Sequence, residues 1–337
     1  MIQNIKSIQR VLFSHQKQIF CLSSQFNKKF KHQKINTQHI KSQAKSNQQA
    51  KQYNFKPYQL KMDTSKLKIA FIGAGKMATA IAGGLVKSGK YTPNQFTATD
   101  KSEASREHFI EKSQVTNIIQ DNILASKFSD VVILAVKPQQ IEEVCKEIAE
   151  VCQDKLIISI AAGTKLETFY KLFGHKRIIR VMPNTPMMVG IGASAFSIGD
   201  SCKETDRDIC LSIFSPLGKI HQVEERHMDA VTAVSGSGPA YVFQFIKALA
   251  DAGVQQGLQP EVSLDLAAQT VLGAAMMVSL NQGTPEELTK AVTSPNGTTY
   301  AALCCMEKLQ FKETVYKFVE AAANRSIELG GVKPKQA

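Results

Sequence analysis

Hydrophobic and polar positions follow two different rhythms along the chain. From about residue 66 to 226, short apolar runs without polar alternation are separated by stretches of helical spacing. The runs are Ile69–Ile72, Phe96–Thr99, Val115–Ile119, Val131–Val136, Leu156–Ile160 and Arg177–Met182. A strand with one wet face alternates, so runs of this kind predict parallel strands covered on both sides. Glu103–Lys112 and Gln139–Val151 read as helices between them, and Ala193–Ile198 alternates enough for a further strand whose direction could be antiparallel. Strand–helix alternation on this scale predicts a parallel α/β domain.

From His227 the strand signals stop and helical spacing continues to Leu329. Pro239, just after Ser237-Gly238, marks a helix start, and Tyr241–Gly257 continues it. Leu264–Leu280 is apolar on nearly every face, so a helix there has to be buried all round. A small helical domain rarely manages that alone. A helical dimer interface is the first expectation and a core helix in a monomer the alternative; Met276 and Met277 are filler in either case. Thr284 and Glu287 form a capping box. The expected organisation is a tail over 1–65, a nucleotide-binding domain over 66–226, a helical domain over 227–330 and a short tail over 331–337.

The first chemical signal lies where the first strand meets the first helix. Gly73-Ala74-Gly75, with Ala78 three positions on, is the G-x-G-x-x-G/A pattern. The first glycine permits a tight turn and the second lets the backbone approach a pyrophosphate. Ala78 keeps the helix close to the sheet, and the helix N-terminus offers N–H groups to the phosphates. The pattern is weak alone, but its place in an α/β alternation points to a dinucleotide. Asp100 ends the second strand, where an acid can accept from the adenosine ribose. That favours NADH, whereas Lys101 and Arg106 favour the 2′-phosphate of NADPH, and a helix cap is a further reading of Asp100. Lys137-Pro138 and the small residues Ala161-Ala162-Gly163 follow other strand ends, and the latter suit a flat nicotinamide ring.

Composition changes the picture only through charge. The chain is 43% hydrophobic and 21% charged, ordinary for a folded protein, yet carries a net +12. Residues 1–61 hold twelve of the 41 basic groups and no Asp or Glu, leaving 29 basic against 29 acidic groups from Met62 onward. The folded part is therefore no polyanion binder, and no nucleic-acid partner is expected. The tail has Ile5, Ile8, Leu12 and Ile19 at roughly helical spacing. It reads as a mitochondrial transit peptide, as an over-long start ahead of Met62, or as a disordered polar tail. Mitochondrial localisation leads and a cytoplasmic one is the alternative. The seven cysteines lack C-x-x-C or His-paired spacing, so reduced thiols and no metal site are expected. No run is read as long enough for a membrane.

A second informative stretch is Thr293-Ser294-Pro295-Asn296-Gly297-Thr298-Thr299, directly ahead of the helix Tyr300–Lys308. It places small donors at the positive end of a helix, as a site for a carboxylate does, although a capped loop has the same composition.

Taken together, FIGAGKMATAI from Phe71, AVKP at 135–138, SIAAG at 159–163, RVMPNTP at 180–186, DAVTAVSGSGPAYVF at 229–243 and AVTSPNGTT at 291–299 resemble the pyrroline-5-carboxylate reductases, over about Lys66 to Leu329. The resemblance implies a Rossmann-like doubly wound sheet followed by an all-helical C-terminal dimerisation domain, with dimers assembling into decamers. It implies reduction of 1-pyrroline-5-carboxylate to L-proline with NADPH or NADH. Ile72, Gly73, Ala74, Gly75, Lys76 and Met77 would cradle the pyrophosphate, and Thr99 or Asp100 would meet the ribose. Ala135, Val136, Lys137 and Pro138, with Ala161 and Ala162, would line the nicotinamide half. The N–H groups of Gly297, Thr298 and Thr299 would hold the substrate carboxylate, helped by the Ser294 hydroxyl. The Thr299 hydroxyl would bond the ring nitrogen as the catalytic donor. Asn296 stands where the family commonly has Gly, which a left-handed Asn tolerates.

The nearest rival is a β-hydroxyacid dehydrogenase, which needs a Lys and an Asn four residues on, shortly after the glycines at 236–238. The corresponding positions here are Val242 and Ile246, and Lys247 is followed at that spacing by Asp251. A non-catalytic nucleotide sensor would need no second site such as 294–299.

Overall fold

The computed structural model describes residues 63–331. The basic tail, its three readings and Cys21 lie outside the described residues. The first apolar run is β1 (Ile69–Ile72), buried at all four positions. It turns into α1 (Lys76–Lys87), which buries Ala78, Ile81, Ala82 and Leu85. There follow β2 (Phe96–Thr99), α2 (Glu103–Ser113), β3 (Ile118–Ile119), α3 (Asn122–Lys127), β4 (Val131–Leu134) and α4 (Ile141–Ile148). The sheet half ends with β5 (Leu156–Ser159), α5 (Leu166–Phe173), β6 (Ile178–Met182), β7 (Gly192–Ile198), α6 (Glu204–Phe214) and β8 (Gly218–Gln222).

Strand order is β3-β2-β1-β4-β5-β6-β7-β8. All neighbours are parallel except β6 and β7, so the predicted seventh strand is antiparallel to the sixth. β1 pairs Ile72 with Thr99 on one side and with Leu134 on the other. The chain therefore leaves β1 to one side and later returns to the other, which opens a crevice at the strands' carboxyl ends. One apolar cluster gathers Phe71, Phe96 and Phe109, with ring centroids 5.9 and 6.0 Å from Phe71. A second, on the opposite face, gathers Ile72, Leu134, Ile157 and Phe169. Covering on both faces is why these strands lack alternation.

Several boundaries differ from expectation. β3 is two residues rather than five, because Gln114 is left-handed (φ 64°) and only Ile118 and Ile119 come into register with β2. The fourth strand stops at Leu134, ahead of a 3₁₀ turn at Pro138–Gln140, and the predicted helix to Val151 finishes as a second 3₁₀ turn. The sequence pattern does not reveal α3, α5, α6 or β8. α3 has only six residues, and β8 is a polar strand at the sheet edge with no apolar run.

The second half is α7 (Met228–Val231), a π turn (Thr232–Gly236), α8 (Gly238–Gln255), α9 (Pro260–Ser279), α10 (Pro285–Ala291), α11 (Thr298–Lys308) and α12 (Phe311–Leu329). The capping box forms as expected: Thr284 N donates to Glu287 Oε2 (2.8 Å) and Glu287 N to Thr284 Oγ1 (3.2 Å). α9, by contrast, is not buried within the protomer. Leu266 is 54% exposed, and Leu264, Leu272, Met277 and Val278 are exposed too. Only Ser263 and Ala267 are buried. The monomer-core alternative fails on this point, since among the described residues α9 packs against α8 and leaves most of its apolar surface uncovered. The expectation that no run reaches membrane-spanning length also fails. α9 is long and apolar enough by length and composition, with Glu261 and Asp265 interrupting what would otherwise be an uncharged run.

Candidate functional site

The crevice beside β1 is shaped by two glycines with different duties. Gly73 has φ +101°, and a Cβ there would come 2.8 Å from Ala135 O, so only glycine fits between β1 and β4. Its N–H donates to Thr99 O at 2.9 Å, fastening the turn to β2. Gly75 lines the opening, and a Cβ on it would meet nothing within 4 Å. It is bare toward open space and caps α1 without a side-chain hydrogen bond. A cleft of about 300 Å³ starts here, lined by Ile72, Gly73, Gly75, Thr99, Asp100, Ala135, Val136 and Lys137 among others. Eight residues expected at the cofactor therefore converge. An open glycine beside uncapped helix N–H groups suits the pyrophosphate of a dinucleotide, so the residues present fit that group.

The expected ribose readers line the cleft and also make bonds of their own. Asp100 Oδ2 accepts from Ala74 N (2.9 Å) and its Oδ1 from Ser102 N (2.8 Å). Its carboxylate thus fixes the glycine turn and the entry to α2 while still lining the cleft. The Thr99 side chain is buried, with its hydroxyl donating to Asn122 Oδ1 at 2.6 Å. The rim nearby carries Lys101, Ser102, Ser105 and Asn122. Lys101 reaches Glu143 across the opening at 3.0 Å with both groups exposed, a pair worth little in water. Arg106 Nη1 donates to the carbonyls of Asp100 (2.8 Å) and Lys101 (3.1 Å), which holds a second cation at this end. Asn122 and Glu143 escaped sequence reading because the short α3 and the start of α4 carry no pattern that points at the cleft.

Ala74, Lys76, Met77, Pro138, Ala161 and Ala162 are not part of this cleft's lining. Ala161 and Ala162 continue β5, one strand beyond β4. Ile160 N still donates to Leu134 O, which places Ala161 beside the Ala135–Val136 rim by register. The return after them is held by α12. A Cβ on Gly163 (φ +77°) would lie 2.8 Å from Leu329 Cβ and 3.0 Å from Ser326 O. Beneath it, Arg180 of β6 is 2% exposed and faces Glu225 (Nη1–Oε1 3.5 Å) and Asp229 (Nη2–Oδ1 4.0 Å). Burial pushes the guanidinium below its ordinary value while the two carboxylates pull it back up. A second joint is Asn184, whose Nδ2 donates to Ser235 O (3.0 Å) in the π turn while its Oδ1 accepts from Ala193 N (2.9 Å).

The turn at 294–299 has the conformation its sequence requires. Asn296 is left-handed at φ 56°, as expected for the residue that replaces glycine. Gly297 caps α11 without a side-chain bond. Its own N–H, one of the expected carboxylate donors, donates to Ser294 O at 3.1 Å within the turn. Thr298 and Thr299 open the helix, where backbone N–H groups have no intrahelical acceptor. Among the described residues, no hydrogen bond or ion pair ties residues 285–310 to the sheet half. The protomer alone does not bring this turn into the β1 cleft. Lys247, the rival's nearest candidate, is exposed and paired with Asp251 along α8.

Residues 225–329 match a family model described as pyrroline-5-carboxylate reductase dimerisation, and residues 68–163 match one described as NADP oxidoreductase coenzyme F420-dependent. A pyrroline-5-carboxylate reductase of Arabidopsis thaliana is 45% identical over 271 residues, 80% of this chain and 98% of the relative. Among solved structures, pyrroline carboxylate reductase of Plasmodium falciparum with NADP bound matches at TM-score 0.73 and 34% identity. That match covers 79% of this chain and 99% of the other. A pyrroline-5-carboxylate reductase of Coxiella burnetii matches at TM-score 0.73 and 37% identity, over 80% of this chain and all of the other.

Proposed function

The chain belongs to the pyrroline-5-carboxylate reductase family, whose members reduce the C=N bond of 1-pyrroline-5-carboxylate to L-proline with NAD(P)H, and we propose that its reaction site is completed across a homodimer. Bound NAD(P)H supplies the hydride that adds to the C=N carbon. The chain's own residues bind and align. Gly73 and Gly75 leave room for the pyrophosphate at the start of α1, and Ala135 to Pro138 with Ala161 and Ala162 line the nicotinamide side. The N–H groups of Thr298 and Thr299, with the Ser294 hydroxyl, hold the substrate carboxylate. The Thr299 hydroxyl donates to the ring nitrogen, and the proton comes ultimately from solvent. Donation to the lone pair of the neutral imine nitrogen polarises the C=N bond toward the hydride, so alignment and one positioned donor suffice, without a strong acid.

One observation carries this reading: two unused N–H groups at the head of α11, in a helical half whose apolar faces are bare. A partner covering α8 and α9 supplies the burial those helices need and assigns α9 to an interface rather than a membrane. It can also bring the turn to the cleft. Assembly of dimers into decamers is the finer expectation, read by light scattering.

We further propose that NADPH is the preferred cofactor. Asp100 is engaged by Ala74 and Ser102, while Lys101 and Arg106 keep positive charge beside the rim. The acid-free basic N-terminus supports a mitochondrial address, with a cytoplasmic one as alternative, and a reporter fusion of residues 1–61 reads it out.

The functional test is substrate-dependent oxidation of NADPH and NADH with L-proline as product. Co-expression tests the shared site. Gly75→Asp places a carboxylate in the phosphate cradle where the fold has space, and Thr299→Val removes the donor. If each site combines one protomer's cleft with the other's turn, mixed dimers regain one intact site. The expected rate is roughly a quarter of wild type when half the dimers are mixed. No recovery above either variant alone means that each protomer builds its own site.

A further inference from the structure

Arg180 is the largest fully buried side chain of the described residues, and it sits in the middle of β6 opposite Ser159 of β5. A buried guanidinium is expensive to desolvate, and apolar side chains of similar volume often serve stability as well. Its surroundings suggest what is gained instead. Each of its two acidic partners makes one further contact, and both contacts lead to the same loop.

Glu225 Oε1 also accepts from Leu166 N at 2.5 Å, at the end of the return that begins with Ala161. Asp229 Oδ1 also accepts from Ser326 Oγ at 2.6 Å, and Ser326 is 2% exposed on α12. That turn of α12 presses its backbone against Gly163: Ser326 O and Gly330 N lie 3.0 and 3.2 Å from where a Cβ would stand. The loop 161–165 is thus gripped at its far end by Glu225 and at its middle by the α12 terminus. At its near end, Ser159 Oγ accepts from Ala161 N at 3.3 Å, on the residue paired with Arg180. Two of these three restraints trace back to one cation, and the third sits on the strand residue in register with it.

We infer that Arg180 is a positioning residue: through Glu225, and through Asp229 and Ser326, it sets the place of the Ala161–Gly163 loop, and with it the seat of the nicotinamide ring. The inference rests on the reading that this loop lines the nicotinamide half of the cofactor site. It is a property of the loop and not of the adenosine end, which hangs on β1, β2 and α2.

That division supplies the test. NADP⁺ and 2′,5′-ADP share the adenosine 2′-phosphate half, and only NADP⁺ carries the nicotinamide. Calorimetric dissociation constants for both, with kcat and KM for the imine, are measured on wild type, Arg180→Lys, Arg180→Met and Ser326→Ala. Ser326→Ala deletes one hydroxyl and keeps the measurement possible if an Arg180 variant does not fold. The expected result is 2′,5′-ADP affinity within about twofold of wild type, and NADP⁺ affinity about fivefold weaker. kcat should fall about tenfold at little-changed substrate KM, with Arg180→Lys recovering part of the loss in Arg180→Met. Equal weakening of both nucleotides overturns the inference, and so does unchanged kcat with only a lowered Tm. Absence of turnover in the wild type would overturn the functional reading instead, leaving the two binding constants to judge Arg180.

Discussion

The two halves of this molecule obey the same rule of burial and meet it differently. β1 and β4 are buried at every position, walled by helices of their own chain. α9 is apolar along most of its length, yet leaves Leu264, Leu266 and Leu272 open. The sheet half is closed by intrachain packing. The helical half is a shape waiting for its copy, and the family match over 225–329 says what that copy does. An apolar helix in a sequence therefore predicts burial, but does not say whose surface provides it.

The comparison breaks first at α9. Leu266→Asp sets a charge where a partner should bury roughly 1.5–3 kcal/mol of leucine side chain per copy. Light scattering should show loss of the dimer, and turnover should vanish with it; an active monomer would refute the division. Thr299→Val tests the helical half's chemistry, with kcat falling tenfold to a hundredfold and cofactor binding unchanged. Full turnover in that variant removes Thr299 from the mechanism. In the sheet half, Gly73→Ala forces a side chain into φ +101° against Ala135 O, a strain of roughly 1–3 kcal/mol. Calorimetry should find about tenfold weaker nucleotide binding.

Asp100→Asn is a finer probe. If the carboxylate only braces the turn, KM for NADPH and NADH should rise together, severalfold each, as loss of a charge-assisted hydrogen bond to Ala74 N implies. A change in their ratio would return Asp100 to ribose reading. The smallest effect concerns acid stability. His175 accepts from Arg177 N through Nδ1 and lies 3.1 Å from Cys152 O through Nε2, and burial lowers its pKa from 6.5. The unfolded chain then binds the extra proton more readily. Stability should fall as pH drops below 6.5 toward the lowered value, and His175→Gln should flatten that limb of a urea titration.

How far the pattern of residues reached depended on how local each feature is. β1, the Gly73 turn, the capping box at Thr284 and the left-handed Asn296 are decided within a few residues, and each forms as read. α3 and β8 were hidden because one is too short for periodicity and the other too polar for an apolar run. Asp100 stands at the end of β2 as expected, but its bond to Ala74 N is not legible in the pattern, since it depends on side-chain direction. That the Gly297 N–H closes its own turn is likewise a matter of geometry that residue types do not show.

The sequence by itself determined the succession of buried strands and the longer helices, the glycine turn, the donor-rich turn and the family resemblance, because these rest on periodicity, backbone permission and residue type. Only the tertiary structure decided which carboxylates are already engaged, that α9 stays largely uncovered among the described residues, and that Arg180 ties the loop after β5 to α12. Those facts concern groups far apart in the chain, for example 97 positions between Ser326 and Asp229, and their meeting is settled by packing rather than by local preference.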